Sequence, residues 1–280
     1  MASHSVALIT GCSSGIGREA ALRLARRGTT VFATMRDLKK DGPLREAARG
    51  LPVQILALDL DQSASVRRAV AQVKAKAGRI DLLVNNAGYG AFGAFEDFTD
   101  AEILAQYQTN VFGLMRVTRE VLPLMRAQRS GRILHIGSLA GRMTFAGIGL
   151  YCSSKYAVEA LTEALRLETA PFGIQVAVVE PGSRNTSFKA NRQKAGLFEK
   201  NQSAYQAVLQ KILDFGNHQS ARAPGAKAVV DAIEKAADAK VMKARYPVGL
   251  DAKLYPLIRW FLPDGFYDLL LRRLYARFQP

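Results

Sequence analysis

An α/β fold built on a doubly wound parallel sheet is predicted by two features of the sequence. Short apolar runs rich in β-branched residues alternate with longer amphipathic stretches, and the apolar runs are nearly continuous instead of alternating with polar residues. The first feature is how successive βαβ units appear in a chain, and the second marks strands covered by helices on both faces. Strands are expected at residues 6–10, 30–34, 53–58, 81–85, 132–138 and 174–180. Helices are expected at 16–27, 63–76, 101–129, 153–170 and 226–236, each with apolar residues at helical spacing.

A chain of 280 residues buries a substantial core, and α/β domains reach this length without dividing, so one domain over residues 1–280 is expected. A hydrophobic fraction of 49% with 22% charged residues excludes a disordered or collagen-like chain. The stretch 183–223 is polar and too long for a tight connection, and it reads as a substrate lid with a short helix at 204–215. Residues 250–280 form an apolar, aromatic carboxy-terminal extension, which Arg259, Pro263 and Asp264 interrupt before it reaches bilayer-spanning length. It is expected to be a helical cover over a pocket or subunit interface. The alternative is weak adhesion to a membrane surface through Trp260, Phe261 and the flanking arginines.

Cys12 and Cys152 are too few for a disulfide framework or a multi-cysteine zinc site, and the three histidines are widely spaced, so no metal is expected. Two cysteines fit a reducing compartment, and the apolar run SVALIT is too short for a secretion signal, so the expected location is cytoplasmic. A net charge of +15 raises nucleic acid or an anionic membrane surface as a partner. The basic residues are scattered along helices without any nucleic-acid-binding motif, so nucleic acid is not expected. A positive surface attracting a phosphorylated cofactor is the preferred reading.

The motif TGCSSGIG runs from the first strand into the first helix. Gly11 permits a tight turn, Gly15 lets backbone approach a dinucleotide, and Gly17 permits close packing, while the helix start, with Ile16, offers N–H groups to a pyrophosphate. The spacing differs from the usual G-x-G-x-x-G, and three glycines after a strand could also form a structural turn; read as a cofactor loop, they make the expected fold Rossmann-type. At the end of the second strand, VFATMRD places Arg36 where a free ribose 2′-hydroxyl would ordinarily meet an acid. The arginine fork, with Ser13 or Ser14 adding a hydroxyl donor, suits a 2′-phosphate and favours NADP(H); Asp37 keeps NAD(H) open.

Tyr151 and Lys155 are four residues apart at the start of a helical pattern, hence on one helix face, where an ammonium would lower the tyrosine pKa and make it an acid/base. Ser138 ends an apolar strand at the crevice side of the sheet, where its hydroxyl can hold a reacting oxygen. Asn86, Ala87 and Gly88 end the preceding strand as small or polar residues able to line a flat cofactor. Asn110 is a poor helix former inside a long helix, placed to anchor a water-mediated proton path. His135, within an apolar strand, reads as a hydrogen-bonded core residue.

Taken together, TGxxxGIG, NNAG, the mid-helix Asn110, Ser138 followed by Tyr151-x-x-x-Lys155, and PGSRNT resemble the classical short-chain dehydrogenase/reductase family over about the first 190 residues. GCSSGIG, ATMRDL and YCSSKYAVEAL are most similar to its 17β-hydroxysteroid dehydrogenase type 1 and retinol dehydrogenase branch. The resemblance implies that Tyr151 exchanges the substrate proton, Ser138 holds the carbonyl oxygen, Lys155 binds the nicotinamide ribose and tunes Tyr151, and Asn110 holds a relay water. It further implies that Asp59 meets adenine with Leu60 following on the backbone, that Asn86 to Gly88 line the ribose, that Pro181, Gly182 and Thr186 hold the nicotinamide end, and that the protein is a homodimer or homotetramer.

Apolar, aromatic segments flank this group, so an elongated hydrophobic substrate of steroid, retinoid or lipid type is expected, with Tyr89, Phe92, Met143 and Phe145 as candidate walls or, equally, ordinary core residues. Reduction of a carrier-bound β-ketoacyl group and cofactor binding without turnover stand as alternatives.

Overall fold

The computed structural model describes residues 5–278, so the last two residues of the expected extension lie outside the described residues. In chain order the elements are β1 (Val6–Ile9), α1 (Gly15–Arg26), β2 (Thr30–Met35), α2 (Gly42–Ala47), β3 (Val53–Ala57), α3 (Ser63–Ala77), β4 (Leu82–Asn85) and the short β5 (Ala91–Phe92). Next come α4 (Asp100–Tyr107), α5 (Leu114–Gln128), β6 (Gly131–Ile136), α6 (Gly149–Thr169), β7 (Ile174–Pro181), β8 (Gln193–Lys194), α7 (Gly196–Glu199) and α8 (Gln206–Ala221). The chain closes with α9 (Lys227–Asp238), β9 (Arg245–Val248), α10 (Leu250–Phe261) and α11 (Asp264–Tyr275).

Seven strands form a parallel sheet in the order β3-β2-β1-β4-β6-β7-β9. Its two faces show why the strand sequences are unbroken apolar runs. In β1, Ala7 and Ile9 pack into one core with residues of α1 and α9, whereas Val6 and Leu8 pack into the other with residues of α3 and α5. The chain reverses its winding between β1 and β4, which opens a crevice at their carboxyl ends.

The sheet has one strand more than the six expected. β9 has the sequence RYPV, with a charge at its start and a proline within, and proline is tolerated because β9 is an edge strand. The charge is met from α6, where Glu159 and Glu163 accept from Arg245 at 3.2 and 2.9 Å.

The single helix expected at 101–129 is two helices. Thr99 and Glu102 form a capping box at the start of α4, and a π-helical turn over Gln108–Gly113 separates α4 from α5 and carries Asn110. In the stretch expected to form a lid, α8 extends beyond the expected 204–215, and β8 pairs in parallel with β5, matching Ala91 to Gln193 and Phe92 to Lys194. The carboxy-terminal extension forms α10 and α11, with Tyr267 buried beneath the Arg259 guanidinium. Trp260, Phe261 and Phe266 on these helices are 77%, 71% and 67% exposed. Among the described residues no helix is long and apolar enough to cross a membrane.

Candidate active site

The crevice deepens into a cavity of about 1250 Å³. That exceeds the roughly 300–1,000 Å³ of a site for one drug-sized molecule, leaving room for a dinucleotide and a second ligand.

At one end lies the glycine loop. Gly11 has φ +75°, and a Cβ there would come within 2.8 Å of the Ala87 Cα, so the residue is required by both its conformation and its neighbour. A Cβ on Gly17 would lie 2.4 Å from the Gly11 carbonyl oxygen; Gly17 is therefore a packing residue behind the loop and does not line the cavity. The loop is tied to the 86–88 turn. The Asn86 and Ala87 N–H groups both donate to Thr10 Oγ1 at 3.0 Å, and Asn86 Nδ2 donates to the Thr10 carbonyl at 2.9 Å.

The first turn of α1 contains no acidic residue and no side-chain cap, so its N–H groups are open to an anion from the cavity. Ser13, Ser14, Gly15 and Ile16 line that region, as do Arg36, Asp59, Leu60, Asn86, Ala87, Gly88, Pro181, Gly182 and Thr186. Asp37 lines it too, but its carboxylate accepts from Lys39 N at 3.0 Å and caps the following 3₁₀ turn. These residues fit a dinucleotide.

At the other end, Tyr151 and Lys155 project from the first turns of α6, and Ser138 lies just past β6. Ser138 hydrogen-bonds the Tyr151 hydroxyl and accepts from Ala140 N at 3.1 Å. Lys155 donates from Nζ to the Ile136 carbonyl at 2.7 Å and stands 5.9 Å from the Tyr151 ring centroid. The expected lowering of the tyrosine pKa by this ammonium is not found. Burial pushes the Tyr151 hydroxyl up, with only the Ser138 bond opposing. Burial likewise pushes Lys155 down to about 8, with Glu159 opposing. An apolar site disfavours the charged form of each group, and that effect outweighs their attraction.

Asn110 is buried behind the cavity and does not line it. Its Oδ1 accepts from Tyr89 N at 3.0 Å, and its Nδ2 donates to the Tyr89 carbonyl at 2.9 Å and to Ser154 Oγ at 3.2 Å. Ser154 in turn donates to the Tyr151 carbonyl at 2.7 Å, so the amide braces the cavity wall against the Tyr151 turn. Tyr89, Phe92 and Phe145 line the cavity as expected. Met143 does not; it is buried with Leu139, Ala252 and Tyr267 beneath the carboxy-terminal helices, because the extension supplies the apolar cover it needs. His135 is buried between Thr162 Oγ1 at 2.8 Å and Thr118 Oγ1 at 3.5 Å, and burial pushes it down to about 3, keeping it neutral.

Several residues here escaped sequence reading. Lys40 joins Arg36 at the cavity's edge, Ser187 donates to Ser14 Oγ at 2.8 Å, and the Phe188 ring packs 5.4 Å from that of Tyr151. Glu159, one turn beyond Lys155, is buried against Gly137 and Gly141, and its carboxyl is pushed up by burial and by Glu180 against the opposing Arg245. Its i+4 spacing from Lys155 was the available signal.

Residues 5–196 match the family model of the short chain dehydrogenases. The chain is a short-chain dehydrogenase/reductase. As a member of that family it is an oxidoreductase acting on CH–OH groups with an NAD(P)-binding fold. This short-chain dehydrogenase/reductase is 38% identical to a 3-ketodihydrosphingosine reductase of Bacteroides thetaiotaomicron over 97% of its own length and 98% of the relative's. It is 41% identical to the Homo sapiens 17-beta-hydroxysteroid dehydrogenase type 1 over 66% of its length and 58% of the relative's. Among solved structures, a Streptomyces avermitilis short-chain dehydrogenase superposes with a TM-score of 0.82 at 32% identity, covering 98% of both chains. A metagenomic short-chain oxidoreductase in complex with NADP superposes with a TM-score of 0.69 at 27% identity, covering 87% of this chain and 97% of that one.

Proposed function

We propose that this enzyme uses NADP(H) to interconvert a hydroxyl and a carbonyl on an elongated, lipid-like substrate. One observation carries the reading: a single cavity joins the Arg36 and glycine-loop end to the Ser138 and Tyr151 end, and then continues between aromatic and aliphatic walls formed by Phe92, Phe188 and Ile212. The nicotinamide, when bound, supplies or accepts the hydride. In reduction the Tyr151 hydroxyl donates its proton to the substrate oxygen, and the Ser138 hydroxyl stabilises charge developing there. Lys155, pushed down to about 8, can exchange a proton with this pair near neutral pH and can donate to the cofactor ribose. Asn110 positions Tyr151 through Ser154. Arg36, with Lys40 nearby, would hold the 2′-phosphate, since the arginine fork suits a phosphate and both cations line the cavity.

The 3-ketodihydrosphingosine reductase relative supports a lipid-like carbonyl over a compact one. The test is NADPH and NADH oxidation followed at 340 nm against long-chain ketones, steroids, retinoids and β-ketoacyl thioesters. Turnover confined to short polar carbonyls would overturn the substrate class.

The exposed Leu104, Phe112, Met115, Tyr156 and Leu167 on and between α4, α5 and α6 suit a homodimer or homotetramer interface. The exposed aromatic residues of α10 and α11 support weak adhesion to a membrane surface by a protein otherwise residing in the cytoplasm. Sedimentation with anionic liposomes is expected to pull down the intact protein and to release a Trp260→Ser/Phe261→Ser variant; equal recovery of the two removes the idea.

A further inference from the structure

Past Phe188 the cavity wall changes character. Lys189 and Arg192 line it from the lid, both half-buried. The Arg192 guanidinium lies 5.7 Å from the Phe92 ring centroid, and Phe92 belongs to the apolar cluster of Phe198, Leu209 and Leu213 around α8. Lys189 donates to the Asn217 carbonyl at 2.7 Å, and Arg192 makes a long 3.5 Å contact with the Asn217 side-chain oxygen.

Neither cation has a carboxylate within ion-pair distance among the described residues, whereas Arg23, Arg27, Arg45 and Arg79 are all paired. Burial pushes both groups down, and Arg192 pushes Lys189 down further. Two like charges held side by side without a counter-ion repel, and the Asn217 oxygens and the Phe92 ring offset that only in part. An anion arriving from the cavity would offset the rest.

We infer that Lys189 and Arg192 bind the anionic group of an amphipathic substrate whose apolar portion lies between them and Tyr151. The guanidinium fork can grip a carboxylate or a phosphate with two parallel bonds, the ammonium adds a point charge, and Phe92 fixes the arginine plane. The cofactor does not need these groups, because the adenosine end has its own cations in Arg36 and Lys40 and the stacking on Phe92 directs Arg192 toward the α8 side. The inference rests on the proposed function only in taking Tyr151 as the reacting end.

Calorimetric titration of the NADP⁺-loaded protein with decanoate, decyl phosphate and 1-decanol tests it without requiring turnover. At least one of the two anions is expected to bind about tenfold or more tightly than the alcohol, as one or two charge-assisted hydrogen bonds would give. Whichever anion binds better identifies the headgroup chemistry. Lys189→Gln/Arg192→Gln should bring all three ligands within about twofold and leave NADP⁺ affinity unchanged, while Lys189→Arg should keep the preference. Equal binding by anions and alcohol, no binding by either anion, a preference that survives the double substitution, or lost NADP⁺ affinity in the variant would each overturn the inference. Because binding is read, failure of the Tyr151 chemistry would leave this result intact, and the reverse also holds.

Discussion

Replacing Tyr151 with phenylalanine is expected to lower kcat by about a thousandfold, the usual contribution of a positioned acid/base group, with NADPH affinity unchanged. The substitution is a clean one. Phenylalanine keeps the ring that packs 5.4 Å from Phe188 and fills the same buried space, so only the hydroxyl and its bond to Ser138 are lost. Single-turnover NADPH oxidation combined with a nucleotide-binding titration separates chemistry from binding, and a rate within tenfold of the parent would remove Tyr151 as the proton donor. The pH dependence should differ between directions. Burial pushes this hydroxyl up, so it remains protonated and ready to donate through neutral pH in reduction, whereas oxidation needs the phenolate and should accelerate as pH rises.

The second large effect is expected at Arg36. Arg36→Ala should reduce kcat/KM for NADPH by about tenfold to a hundredfold, the worth of one or two charge-assisted hydrogen bonds to a phosphate, and leave NADH nearly unaffected. Asp37 caps its own turn through Oδ1, which accepts from Lys39 N, and it lines the same cavity, so retained or improved use of NADH by the variant would mark it as a ribose ligand. Lys40 shares the same rim and should limit the single substitution, which makes Arg36→Ala/Lys40→Ala the more severe test. A parallel fall with NADH would show that Arg36 supports the loop and does not read the phosphate.

Local pattern carried most of the fold into the sequence. Each of the six expected strands is present because a doubly covered strand must be apolar throughout, and the glycine loop was legible because Gly11 and Gly17 answer contacts that only a missing Cβ can satisfy. Long-range contacts were not legible. β9 is held by Arg245 reaching Glu159 and Glu163, more than eighty positions away, and nothing in RYPV announces a strand. The π turn at Asn110 leaves no trace in an apolar periodicity read across 101–129. Met143 could be read as cavity wall or as core, and only the packing of the carboxy-terminal helices over it decides for core. The relation of Tyr151 to Lys155 was legible as proximity but not as energy, because i+4 spacing does not reveal how dry their surroundings are.

Arg36, Lys40, Lys189 and Arg192 all line one cavity, on a chain whose net charge is +15. Low-dielectric walls around these cations focus the field outward through the mouth, which is expected to draw in diffusing anions at long range. Added electrolyte screens that capture over a Debye length of about 10 Å at 0.1 M but hardly reaches the interior. Ionic strength should therefore act on encounter more than on chemistry: kcat/KM for an anionic reactant falls steeply with salt while kcat stays nearly level, and the enzyme is fastest at scarce substrate in dilute buffer.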